Sequence, residues 1–259
     1  MKWSIILPVK HLTPHNRVGL TKVSEYLKQT PDQTFELILV PNLPALDPDI
    51  GRSLLAEYPE LQITDLPAQI GKGSAVKHGV QSARGDFVLM LDCDVPFDLD
   101  FMKAAREKLE SGADFVTGNR RLYESHFLIP AELMKIAYRR HRLGMLYNLL
   151  VRLTFGVKTL DTQAGIKAMT QKFAREAFST MTCPGFHFDI ELFLVQMRRG
   201  YRWAEIPVTL RLDREKSTVR VIREGFSFFY WYLKILFQDK QSFYSSRVTT
   251  VTKPNRTLS

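Results

Sequence analysis

Asp92 and Asp94 are two carboxylates spaced i, i+2 at the end of the apolar run Phe87-Val88-Leu89-Met90-Leu91. Alternate residues of a strand point to the same side, so this run would present both carboxylates together. Two like charges that close repel each other, and a divalent cation relieves the repulsion. Oxygen ligands suit Mg²⁺ or Mn²⁺, and Mg²⁺ commonly sits on one or two carboxylates plus the phosphates of a substrate. Asp is also an ordinary turn residue after a strand, so the pair alone leaves both readings open. Cys93, between the two, would face the other way as a small core residue.

A second segment, Gly71-Lys72-Gly73-Ser74-Ala75-Val76-Lys77, places small residues at the start of a helical pattern. The first amides of a helix can hold an anion, and Lys72 adds a point charge. The pattern is not a Walker loop, and a glycine-rich turn capped by Ser74 explains the same residues. His11 and His15 have metal-ligand spacing for a helix, but Pro14 argues for a loop there.

Strands and helices alternate around these residues. Ser4–Val9, Phe35–Val40 and Phe87–Leu91 read as buried strands, and 61–65 and 115–117 as weaker ones. Helical spacing fits 18–29, 50–58, 74–83 and 99–110. Such alternation predicts a mostly parallel sheet with ligands at the carboxyl ends of the strands. Then follow an Arg-rich long helix or broken pair over 130–155, a strand at 166–169, helices at 171–178 and 188–199, and a strand over 203–211. Residues 226–237 are aromatic and nearly apolar all round. Beyond Lys240 the composition turns polar and predicts a flexible tail over 241–259.

The chain has 259 residues, enough for one large α/β domain. Two cysteines are too few for a disulfide framework, so a reduced, cytoplasmic setting is expected. No secretory signal is read at the start. A spanning helix needs roughly 20 apolar residues, and no run reaches that. Residues 1–100 carry 9 basic and 13 acidic side chains, whereas the remainder carries 27 and 14. A basic second half fits an anionic partner such as a phosphate or a membrane surface, or simply a solvated face. No nucleic-acid motif accompanies the charge, so no nucleic-acid partner is expected.

The two segments belong to a longer series: Gly71–Val76, Ala83-Arg84-Gly85-Asp86, Asp92-Cys93-Asp94, Gly118-Asn119-Arg120, Asp161-Thr162-Gln163-Ala164-Gly165-Ile166-Lys167, Phe188-Asp189-Ile190-Glu191-Leu192 and Glu205-Ile206-Pro207-Val208. In this order they resemble the inverting family 2 glycosyltransferases, in the dolichol-phosphate mannosyltransferase and polyprenyl-phosphate glycosyltransferase branch. The resemblance covers about residues 3–220. It implies an α/β GT-A fold, a mixed, mostly parallel sheet flanked by helices, over 1–220. It also implies transfer of a sugar from a GDP- or UDP-sugar to a polyprenyl or dolichyl phosphate. Asp92, Asp94 and Gln163 would hold the Mg²⁺ or Mn²⁺ ion. Pro8, Lys10, Asn42, Gly71, Lys72 and Asp92 would meet the donor. Arg120, Arg140, Arg211 and Arg214 would meet the acceptor phosphate. Asp94, Asp189 and Glu191 are the catalytic candidates. A phosphate acceptor is already an anion and needs no general base, whereas a hydroxyl acceptor would, with Asp189 or Glu191 taking the proton. Asp189 has a plainer reading too, as an acidic residue favoured by a helix dipole.

The resemblance is incomplete at the donor base. Pro8-Val9-Lys10-His11-Leu12 lacks the family's Asn-Glu, and Val40-Pro41-Asn42-Leu43-Pro44 lacks its Asp-Asp. Two other functions therefore stand beside transfer: a catalytically degenerate scaffold binding sugar nucleotide or phospholipid, and a sugar nucleotidyltransferase. The latter carries a glycine-rich loop after its first strand, which this chain lacks. The helix over 221–240 is read in two ways, as a peripheral contact with the inner face of a membrane or as a core or dimer helix.

Overall fold

A parallel sheet buries its strands on both faces, and the apolar runs of the first half supply such strands. The computed structural model describes residues 2–10, 12, 14–30, 34–41, 46–64, 71–212 and 221–245, without the side chains of Pro14, His15, Arg140 and 221–228. Strands β1 (Lys2–Val9), β2 (Thr34–Pro41), β3 (Leu61–Ile63) and β4 (Phe87–Leu91) run parallel in the order β3-β2-β1-β4. β7 (Ile166–Thr170) joins β4 antiparallel. β5 (Phe115–Asn119) pairs antiparallel with β7 and parallel with β8 (Trp203–Pro207), completing seven strands. A second, two-stranded sheet pairs β6 (His126–Leu128) with β9 (Thr209–Arg211).

Helices cover both faces. α1 (Pro14–Lys28), α2 (Pro48–Glu57) and α4 (Phe101–Glu110) pack on one face through Leu20, Val23, Leu54 and Met102. α3 (Lys72–Ser82), α6 (Gln171–Thr180) and α7 (Phe188–Arg198) cover the other, with contributions from α5 (Met134–Phe155) and α8 (Val221–Lys240). The alternation within β4 is plain: Phe87, Leu89 and Leu91 belong to the first core, Val88 and Met90 to the second. That parity aims Asp92 at the side where α3 lies and puts Cys93 in the opposite core, as its spacing predicts.

Three expectations need correction. His15 lies in α1, because the helix starts at Pro14; proline is tolerated in a first turn, where its missing N–H has no acceptor to lose. The one strand expected over 203–211 is two, β8 and β9, in different sheets, and the partner of β9, β6, is three exposed residues with no alternating pattern. The polar composition after Lys240 does not make all of 241–259 a loose tail: Tyr244 is fully buried, while 246–259 lie outside the described residues. The Tyr244 hydroxyl lies 2.9 Å from Glu191 Oε1 and 3.1 Å from Gln238 Oε1. A hydrogen bond to a charged group contributes about 1.5–3 kcal/mol, so Tyr244→Phe should lower the urea midpoint at neutral pH by that much stability. An unchanged midpoint would mean the C-terminal contact contributes nothing.

Candidate functional site

The end of β4 is shaped by its antiparallel neighbour. The Asp92 amide donates to Gly165 O at 3.3 Å, carrying the β4–β7 pairing one residue past the strand ends; Gln163 lies in the turn that precedes β7. A Cβ on Gly165 would stand 2.1 Å from Asp92 Oδ2, so only glycine leaves the carboxylate its place. The chain then turns, with Val95 N donating to Asp92 O at 2.9 Å. Val95 takes φ 45°, a left-handed conformation that costs a β-branched residue about 1–3 kcal/mol. Its side chain is buried in the core, which holds the turn. Asp94 is exposed on this turn. Loss of solvent around its carboxyl, and then the Asp92 charge, raise its pKa above the ordinary value.

Lys72 supplies the opposing charge. Its Nζ lies 2.5 Å from Asp92 Oδ1. Burial works against the ammonium, but Asp92, then Asp189 and Asp94, raise its pKa overall. Of the two readings of the start of α3, the anion cradle is not supported: Gly73 N donates to Gly185 O at 3.2 Å and Ser74 N to Pro184 O at 3.1 Å. Those amides hold a loop rather than standing ready for phosphate. A Cβ on Gly73 would lie 2.6 Å from Cys183 O, so this approach needs glycine. Gly71, at φ 113°, is the N-cap, and Ser74 does not cap the helix.

Two more ion pairs surround this one. Lys167, fully buried on β7, donates to Ala164 O at 2.6 Å and lies 2.8 Å from Asp189 Oδ1. Burial outweighs the two lysines and raises the Asp189 pKa. Arg120 grips Asp161 in a two-pronged pair, Nε to Oδ2 and Nη2 to Oδ1, both 2.7 Å, with its backbone N–H adding a third bond at 3.0 Å. Against burial, these bonds and the Arg120 charge hold the Asp161 carboxyl below its ordinary value.

The predicted residues divide accordingly. Asp92, Asp94, Lys72 and Asp189 share one electrostatic neighbourhood, whereas Gln163 lies in the turn before β7. Glu191 does not face the site. It is fully buried, and its two oxygens accept from the amides of Thr182 and Cys183, from Thr182 Oγ1 and from Tyr244. Arg120 is near Asp92 and Asp189, but its fork is filled by Asp161. Arg211 is exposed on β9, with Asp98 Oδ2 at 3.9 Å. Pro8 closes on the end of β1, and Lys10 is exposed just beyond it. Arg140 lies on α5 with its side chain outside the described residues, as are Asn42 and Arg214. The roles of Lys167 and Asp161 were missed. A lysine inside the apolar run Ile166-Lys167-Ala168-Met169 is itself a signal, because a buried ammonium requires an acidic partner.

Among the described residues no group of three or more His, Cys, Asp or Glu side chains could hold a metal. What the end of β4 offers instead is two carboxylates. They fit a hard divalent cation: Gly165 keeps space for the Asp92 carboxylate, and the Lys72 ammonium already stands as a cation against it.

The model of glycosyl transferase family 2 matches residues 15–178. A dolichyl-phosphate beta-glucosyltransferase of Trichomonas vaginalis is 28% identical over 208 residues, covering 77% of this chain and 59% of that relative. The chain thus spans about three fifths of that relative's length. Among solved structures, mannosyl-3-phosphoglycerate synthase from Rubrobacter xylanophilus superposes with a TM-score of 0.54 at 15% identity, over 98% of this chain and 78% of the other. A mannosyltransferase from Pyrobaculum calidifontis, in complex with GDP-Man and Mn²⁺, gives 0.50 at 15% identity, over 83% and 58%. These likenesses bear out the GT-A fold. The relative's name carries glucose where the resemblance had pointed to mannose.

Asp161→Asn should cost about 1.5–3 kcal/mol at neutral pH, because it removes the charged hydrogen bonds to the partly exposed Arg120 guanidinium. A depressed folded-state pKa contributes stability that is complete above the unfolded value, about 3.9, and is lost as pH falls through the folded one. The gap between wild type and variant in thermal melts should therefore narrow below about pH 4. A gap independent of pH would contradict the pairing.

Proposed function

The chain belongs to glycosyl transferase family 2, and from that premise we propose that it moves a sugar, with inversion, from a nucleotide-sugar donor to a polyprenyl phosphate. The observation that carries the reading is the carboxylate pair at the end of β4 with Lys72 against it. Asp92, Asp94 and Gln163 would hold a Mg²⁺ or Mn²⁺ ion, which would supply Lewis-acid stabilisation of the departing diphosphate. The Mn²⁺ and GDP-Man bound to the Pyrobaculum calidifontis structure support the choice of ion and ligand class. Lys72 would orient the Asp92 carboxylate and add positive charge beside the diphosphate. A phosphate oxygen of the acceptor would form the new bond to the anomeric carbon as the bond to the diphosphate breaks, so no proton has to be removed. Cations such as Arg140 would draw the acceptor in, and Arg120 would do so if Asp161 yielded its fork.

A second reading has one observation behind it. Burial raises the Asp189 pKa, as a general base requires, and a hydroxyl acceptor would deliver its proton there. Phosphate is favoured because the relative is named for a dolichyl phosphate and because Lys167 already occupies Asp189.

A lipid-linked acceptor also gives a purpose to the exposed apolar faces of α5 and α8. No helix among the described residues is long and apolar enough to cross a membrane. Yet Leu143, Leu146 and Leu153 of α5 and Phe229, Tyr230 and Phe237 of α8 are exposed, while Ile235 anchors α8 in the core. Tyr232 joins the helices, its hydroxyl bonding Thr154 and its ring standing edge-on to Phe155 at 5.4 Å. This face would rest in a membrane interface, aromatics at headgroup level.

Titration calorimetry should show UDP or GDP binding only with Mn²⁺ or Mg²⁺, and Asp94→Ala should abolish it. Metal-independent binding would favour the degenerate scaffold, and a labelled donor panel with polyprenyl phosphate identifies the sugar. Phe229→Glu/Phe237→Glu should release the protein from anionic vesicles; equal sedimentation of wild type and variant would remove the membrane contact from the reading.

A further inference from the structure

Arg121 and Arg152 are two cations outside the roles described so far. With Met145, Leu146, Leu149 and Leu160 they line a pocket of about 240 Å³. Met145, Leu149 and Arg152 recur at i, i+4 and i+7, so they share one face of α5. The apolar walls are about half exposed, Met145 at 48%, Leu146 at 57% and Leu149 at 46%, so the pocket opens on the same side as the apolar face of that helix. Its floor is stiff: Asn148 donates to Thr159 O at 3.1 Å and accepts from Thr162 N at 3.2 Å. Arg121 enters from the turn after β5, its backbone N–H donating to Asn119 Oδ1 at 2.8 Å.

Among the described residues neither guanidinium forms an ion pair with a carboxylate within 4 Å. Arg152 Nε is buried and has no hydrogen-bond partner. Burial lowers the Arg121 pKa, and the charges of Arg120 and Arg152 add to that against Asp161. Two like charges beside one cavity, one with a buried donor left unmet, fit an anion. A small free anion would leave the exposed leucines and methionine in water. An anion carrying a hydrocarbon chain covers both.

We propose that the Arg121–Arg152 pocket binds the phosphate of a lipid phosphomonoester, whose chain lies along Met145, Leu146, Leu149 and Leu160. The site is separate from Arg120, whose fork Asp161 fills. It rests on the lipid-side reading of α5 given above and not on transfer chemistry. Guanidinium groups suit it because their forked donors match phosphate oxygens in pairs.

The wild-type chain, without nucleotide or metal, tests this by phenylglyoxal labelling of arginines mapped by peptide mass spectrometry. Four conditions are compared: vesicles of phosphatidylcholine alone, the same with polyprenyl phosphate, the same with phosphatidic acid, and inorganic phosphate at matched concentration. Labelling of Arg121 and Arg152 should slow with a phosphate lipid and not with phosphatidylcholine. Protection by polyprenyl phosphate alone identifies an acceptor lipid; protection by both lipids identifies a headgroup site. Equal labelling in all vesicles overturns the proposal, and protection by inorganic phosphate alone overturns its lipid part. Arg121→Gln/Arg152→Gln should weaken binding to phosphate-bearing vesicles about tenfold, and Arg121→Lys/Arg152→Lys should recover part of it. Since no donor or metal is present, a chain without transferase activity would still give a readable result.

Discussion

Two carboxylates can sit at the edge of an apolar sheet only if their repulsion is opposed, and Lys72 on Asp92 supplies that opposition. Everything that fixes Lys72 therefore fixes the site. The ammonium leaves the first residue of α3, and the helix start is held by the carbonyls of Pro184 and Gly185 on the Ser74 and Gly73 amides. The preceding Thr182 and Cys183 amides are gripped by Glu191, which Tyr244 also engages. A series of hydrogen bonds thus runs from the C-terminal segment to the carboxylate pair. Glu191 acts at its middle, as a buried strut rather than as a reacting group.

The neighbouring pairs follow the same electrostatic constraint. Lys167 and Asp189 are buried, as is Asp161 beneath the partly exposed Arg120, and an unpaired buried charge there would cost several kcal/mol by desolvation. They are also coupled to the first pair: Lys72 senses Asp189 and Asp94 besides Asp92, and Arg120 senses Asp92 and Asp189. Adding a cation at Asp92 and Asp94, or an anion near Arg120, would shift the balance of the whole set. The proposed transfer would gain from this, because ligand charge would replace internal charge without exposing either to water.

What the sequence made legible follows physical range. β4 and its two aspartates were readable because strand parity is a local property, and β7 was placed by its apolar run. The pairing of β4 with β7 was not, yet it brings Gly165 so close to Asp92 that a Cβ there would displace the carboxylate. The glycine-rich segment allows two readings, an anion cradle or an ordinary turn, because free amides are the default at a helix start. Only the fold shows a loop 110 residues onward consuming them. Tyr244 was hidden for the same reason: its polar neighbours dominate the composition, while its partner Glu191 is distant in sequence. Asn42 and Arg214, on which the donor-base and acceptor readings partly lean, lie outside the described residues.

Arg120 and Arg121 show how adjacent residues come to different uses. Both follow β5, but Arg120 turns towards Asp161 and the buried ion pairs, whereas Arg121 turns towards α5 and the exposed leucines. A guanidinium is always charged, so each needs an anion or water. The first has its anion inside the protein. The second borders hydrocarbon-like walls where water is a poor neighbour for leucine, and no carboxylate pairs with it there. The dipeptide therefore sends one cation to the buried Asp161 and the other to a pocket walled by exposed apolar residues of α5.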